Sequence, residues 1–193
     1  VKYVDERVLK HYTEVSQDWS DRRLYGTTIG LNLFSAIGLG VFYLNSFGEN
    51  LGGGIYLLNS GGLGVIDMFH NGVCCNPDVK KDEFASEPSI IDPTLEFLKK
   101  SNQLFRLPLF VAGCTLVGKS ICDVANYAFH GEPLTNETIS SAMGGAGFLS
   151  LASSMYLKDR DPKLLQKKPL WKRALEYIGE KTEIKIPSLE RGR

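Results

Sequence analysis

The stretch LYGTTIGLNLFSAIGLGVFYLNSFG, residues 24–48, runs for 25 residues without a charged side chain. A helix that crosses a bilayer needs about 20 predominantly apolar residues, so this run predicts a membrane span. Asn50–Ile66 and Thr138–Leu157 are charge-free over similar lengths and predict a second and a further span. Leu107–Gly118 is shorter and stops at Lys119, but Ser120–Phe129 continues it with Asp123 as the one further charge, which reads as a polar-bearing span.

The charge map around these runs supports the same class. In 193 residues, 22 Lys and Arg balance 22 Asp and Glu, so bulk charge names no partner and gives no reason to expect nucleic acid. Residues 24–72 hold two charges, Glu49 and Asp67, and residues 107–157 hold four, Lys119, Asp123, Glu132 and Glu137. The other 38 charges lie outside both segments. Five basic residues precede the first span, five lie between the second and third (Lys80, Lys81, Lys99, Lys100 and Arg106), and eleven follow the fourth. The short connections Asn45–Asn50 and His130–Glu137 have no Lys or Arg, as outside turns should not. Both termini are therefore expected on the cytoplasmic or matrix side. The competing reading, a soluble helical protein with glycine-rich core helices, draws only on the mean hydropathy of −0.10. Asp5, Glu6, Arg7 and Lys10 stand where a signal core would be apolar, so the first span is expected to act as its own uncleaved signal.

The expected fold is an all-α integral membrane protein with four transmembrane helices as two hairpins. Amphipathic interfacial helices are expected at the N-terminus, in the central loop and at the C-terminus. The boundaries are 1–23 for the N-terminal helix, 24–72 for the first hairpin, 73–106 for the cytoplasmic loop with its helix, 107–157 for the second hairpin, and 158–193 for the basic tail. Val4, Val8, Leu9, Tyr12, Val15 and Trp19 give the N-terminal helix one apolar side, for the membrane surface or for a partner. Asp92 and Pro93 read as the cap and first position of the loop helix, and Pro108 as a bend before the third span. Pro169 opens a tail helix carrying Trp171 and Tyr177 among basic residues. Phe47-Gly48-Glu49-Asn50 and Phe129-His130-Gly131-Glu132 are similar enough to make the hairpins a candidate repeat. Small residues four apart at Gly26 and Gly30, Ser60 and Gly64, Ser140 and Gly144, and Ser141 and Gly145 mark candidate close-packing faces.

The candidate chemistry sits on two polar stripes. Thr115, Lys119, Asp123, Asn126 and His130 follow steps of three and four and share one helix face, with Lys119 and Asp123 placed to pair. Asn59, Leu63, Asp67, His70 and Cys74 make a similar face on the second span. The intramembrane polar face is thus Lys119, Asp123, Asn126, His130, Asp67 and His70. It serves either an ion, proton or solute path or a structural ion pair. Asp67, His70, Cys74 and Cys75 carry metal-ligand chemistry but lack a second ligand pair at recognisable spacing, so no metal is assigned. Gly118-Lys119-Ser120 lacks the earlier glycine of a phosphate loop, and no Gly-x-Ser-x-Gly is present.

From these residues the expected protein is non-enzymatic and needs no cofactor. It is a subunit or scaffold of a membrane complex, packing through Gly- and Ser-rich faces, in a prokaryotic plasma membrane or an organellar inner membrane. Its partners are membrane lipid and other membrane protein subunits or a second copy. The alternative is a small channel or transporter that uses the Lys, Asp and His face.

Overall fold

The computed structural model describes residues 2–74 and 91–160, and every element among them is helical. Helix α1 is Lys2–Ser16 and α2 is Asp21–Tyr56. A π-helical stretch, Leu57–Leu63, leads into α3, Gly64–Cys74. Helix α4 is Ile91–His130 and α5 is Asn136–Lys158. Two stretches, Asp21–Phe69 and Lys99–His130, are long and apolar enough to cross a membrane, each with a mean hydropathy of 1.5 over its best window. The central loop after Cys74 and the tail helix expected from Pro169 lie outside the described residues.

Side-chain hydroxyls cap the starts of α2 and α5. The Ser20 hydroxyl accepts from the Arg23 amide at 3.3 Å, and the Thr135 hydroxyl accepts from the Thr138 amide at the same distance. Each satisfies a first-turn donor that has no helical partner. Within α2 the helical backbone breaks at Gly48, which takes φ 74° and ψ 174°. Gly131, after α4, takes φ 70°. Both glycines of the two similar sequence stretches thus use backbone that a Cβ would strain.

Beyond Gly48 the chain returns along its own first half. A Cβ on Gly52 would stand 2.2 Å from the Tyr43 carbonyl oxygen, Gly40 faces the Tyr56 ring, and Asn59 donates to the Tyr43 hydroxyl. The π-helical turn was not foreseen, because residue spacing alone carries no mark of it. Its seven residues include Gly61 and Gly62, which place no side-chain bulk on the wider turn.

The loop helix and the third span, expected as two elements meeting at a bend, are one continuous helix of 40 residues. Pro108 removes one hydrogen bond from that ladder without ending it. At 1.5 Å per residue α4 is about 60 Å long, roughly twice the thickness of a bilayer's hydrocarbon core.

Helix α5 is the hub. It packs on α2 and α4 along most of its length, and α1 and α3 meet its last turns. Backbones nearly touch: a Cβ on Gly38 would lie 2.5 Å from the Met143 carbonyl oxygen, and one on Gly145 would lie 2.9 Å from the Val117 amide nitrogen. Of the four small-residue pairs, those on α5 are used, whereas Gly26 and Gly30 have no such neighbour within 4 Å. Leu39, Tyr43, Leu109, Phe148, Leu151, Ala152 and Met155 form the main apolar core between α2, α4 and α5.

Polarity is inverted relative to a protein built for water. Ser140, Ser141, Ser154, Thr28 and Asn32 are buried, whereas Ile37, Leu57, Leu58, Val65 and Ile121 are each at least 62 % exposed. Only 33 % of the best apolar window in Asp21–Phe69, and 17 % of that in Lys99–His130, is covered by the rest of the chain.

Candidate functional site

A buried carboxylate ties three segments together. Asp67, on α3, is fully buried and accepts hydrogen bonds from Asn32 Nδ2 on α2 at 2.8 Å and from Ser154 Oγ on α5 at 2.5 Å. The Lys158 ammonium, at the last turn of α5, forms an ion pair with the same carboxylate and also reaches the Asp67 carbonyl at 3.2 Å. Both charged side chains are at most 1 % exposed. With so little water in reach, the pairing and the flanking amide and hydroxyl offset the cost of burying the two charges. The Asn32 Oδ1 atom and the Ser60 hydroxyl are buried without a hydrogen-bond partner among the described residues.

A second cluster fastens α1 to the middle of α4 and the end of α5. The Arg106 guanidinium forks onto both Asp5 oxygens at 2.9 and 2.5 Å, reaches Asp159 at 2.8 Å and lies over the Tyr156 ring. Tyr156 donates to Asp5 at 2.8 Å and stacks on Tyr12 with ring centroids 5.3 Å apart. Arg160 donates to the Ser16 carbonyl at the end of α1 at 2.9 Å and to Asp21 at the start of α2 at 3.3 Å. Part of the apolar side of α1 therefore meets protein: Leu9, Val8 and Tyr12 pack on Tyr156 and Phe110, while Val4 and Val15 stay exposed.

This cluster sets a pH response. Burial pushes the Asp5 carboxyl up, but hydrogen bonds from Arg106 and Tyr156 and the guanidinium charge outweigh it, leaving Asp5 below its ordinary 3.8. A carboxyl depressed on folding adds stability that is complete above its unfolded value and disappears as pH falls through the folded one. On acidification below 3.8 the thermal midpoint of the native chain is expected to fall more steeply than that of Asp5→Asn, which has no such titration. Parallel curves for the two proteins overturn the assignment.

The stripe on α4 is arranged differently from the expectation. Lys119 pairs with Glu137, in the first turn of α5, at 2.5 Å rather than chiefly with Asp123. Asp123 accepts from the Thr138 hydroxyl at 3.0 Å. Asp123 is half-buried, whereas Thr115, Lys119, Asn126 and His130 are exposed. The reason is helix rotation: the face that α4 turns to α5 is set by Leu109, Gly113, Val117 and Ser120, which leaves the polar stripe to one side. Within one chain Lys119, Asp123, Asn126 and His130 do not come together with Asp67.

The side chains of His70 and Cys74, and the whole of Cys75, lie outside the described residues, so the metal candidates with Asp67 are placed only at Asp67 itself. Among the described residues no three His, Cys, Asp or Glu side chains gather as a metal site. Lys158 and Arg106 were missed as site residues because they stand just outside the apolar runs. Depth supplies the signal: Asp67 near the end of the second run and Lys158 just past the last one fall at the same level once the helices are laid side by side.

Compared with protein-family models, curated proteins and solved structures, the chain matches none. Fold and site define its class without them. Its described residues are all in helices or their connections, with two stretches apolar enough to cross a membrane, small polar side chains buried between helices and a buried Asp–Lys pair.

Proposed function

We propose that the chain is a non-enzymatic polytopic membrane protein that serves as a subunit or scaffold of a membrane complex. In this reading α2 with α3, and α4 with α5, cross the bilayer as two hairpins, with both termini on the cytoplasmic or matrix side. The inverted polarity carries it. Leu33, Phe34, Ile37, Leu57, Leu58 and Ile121 form exposed apolar surface too extensive for a water-facing monomer, whereas lipid accepts it without cost. Helices in lipid associate through small residues and polar contacts, the kind that line α5. At 23 residues, about 34 Å, α5 is long enough to cross, and its low hydropathy fits a helix ringed by protein rather than lipid.

The subunit role draws on α2. Gly26 and Gly30 are exposed and open, so a partner's helix can approach that backbone closely, whether it belongs to another membrane protein or a second copy. The membranes that fit are a prokaryotic plasma membrane or an organellar inner membrane. The test is native purification in mild detergent with mass spectrometry of co-eluting chains. The native chain is expected to require detergent and to bring the same partner each time, and Gly26→Leu with Gly30→Leu to lose it without any loss of thermal stability. Recovery of the chain in the aqueous fraction without detergent would refute the membrane reading.

A small channel or transporter is the second reading, favoured by the buried Asp67–Lys158 pair beside the Asn32 oxygen, which has no partner among the described residues. Transport requires that Asp67→Leu with Lys158→Met abolish ion flux in proteoliposomes while the fold persists. A scaffold shows no flux in either form.

A further inference from the structure

Between the first turn of α1 and the middle of α4 lies an open groove of about 710 Å3. Leu104, Leu107, Pro108 and Val111 form its wall, at steps of three, one and three, so the apolar strip runs lengthwise along α4. Leu107 is buried, while Leu104 and Val111 are open to the outside, so the groove is continuous with the apolar surface of Lys99–His130. Lys2 and Gln103 stand at its other end.

That end is cationic. Lys99 and Lys100 precede Gln103 and Leu104 by one turn on the same side of α4, and both are exposed, as is Lys2. The acid in the lining, Asp5, already has both oxygens taken by Arg106 and Tyr156. Lys100 is shared with Glu96 at 2.7 Å, and no carboxylate pairs with Lys2 or Lys99 among the described residues.

The geometry points to a binding site for an anionic phospholipid, with one acyl chain along Leu104–Val111 and the phosphate between Lys2, Lys99 and Lys100. This rests on the reading of the chain as a membrane protein. A bilayer delivers such a ligand laterally, through the open side of the groove, and interfacial ammonium groups attract its headgroup. Docking of α1 by Asp5 and Arg106 builds one wall, so the same ion pair that fastens α1 shapes the site.

The test places the full chain in nanodiscs of equal parts phosphatidylcholine and phosphatidylglycerol and counts retained lipids by native mass spectrometry. The native chain is expected to retain one phosphatidylglycerol in at least tenfold preference over phosphatidylcholine. Val111→Trp, which fills the groove from an exposed position, is expected to retain neither above background. Lys2→Gln with Lys99→Gln, both at exposed positions, is expected to bring the two lipids to parity. Equal retention by the native chain, or unchanged preference in both variants, overturns the site. A chain that needs detergent but shows no preference defeats this groove alone, whereas a chain soluble without detergent defeats the membrane reading beneath it.

Discussion

Asp67→Ala is expected to destabilise the folded chain by about 3–5 kcal/mol, the range for breaking a buried ion pair by removing one partner. The substitution leaves a cavity, removes the acceptor of Asn32 and Ser154, and leaves the buried Lys158 ammonium without its carboxylate. Lys158→Ala is expected to be of similar size for the mirror reason. The double change Asp67→Leu with Lys158→Met removes both charges and keeps the volume, so it should recover most of the loss. Denaturant unfolding in mild detergent, followed by helical circular dichroism, closes the double-mutant cycle and yields the coupling energy directly. An Asp67→Ala effect within about 0.5 kcal/mol, the scale of an ordinary surface change, would mean that the pair does not hold the three segments together.

The same pair shows how far the sequence could be read. The helical class and the long apolar stretches follow from where charges are absent, because Lys, Arg, Asp and Glu are costly to take out of water. The caps at Ser20 and Thr135 went unread, because serine and threonine hydroxyls are too common along the chain to mark a helix start by themselves. What stays out of reach is lateral order and rotation. Periodicity says that Lys119 and Asp123 share a face of α4, but not that the face lies beside the first turn of α5, where Glu137 takes the ammonium. It places Asp67 on a face of its segment, but not against Lys158, 91 residues away.

Two further readings stop short for physical reasons. Pro108 looks like a joint, yet a proline costs a helix one hydrogen bond and a local clash, and α4 runs through it as one helix. The apolar side of the first helix suits the membrane surface or a partner, because that pattern cannot tell lipid from a protein neighbour. Here Tyr12 stacks on Tyr156, and Asp5 binds an arginine 101 residues further along the chain.

The sharpest separation between competing small-residue faces comes from two glycines on one helix. Gly38→Val is expected to cost about 3 kcal/mol, the upper part of the usual range for overpacking, because its Cβ would lie 2.5 Å from the Met143 carbonyl oxygen and 3.0 Å from the Gly147 Cα. Both neighbours are backbone, so relief requires moving α5 away from α2, and with it the ladder of contacts that runs from Gly38 to Ser46. Gly26→Ala meets nothing within 4 Å and replaces a flexible helix residue, so it should stabilise by about 0.5–1 kcal/mol. Thermal midpoints in detergent measure both. Opposite signs place the close crossing of α2 and α5 at Gly38 and leave Gly26 on a surface that another helix is free to cover. Equal and small effects would show that the crossing is looser than these distances imply, and the helix packing around α5 would have to be redrawn.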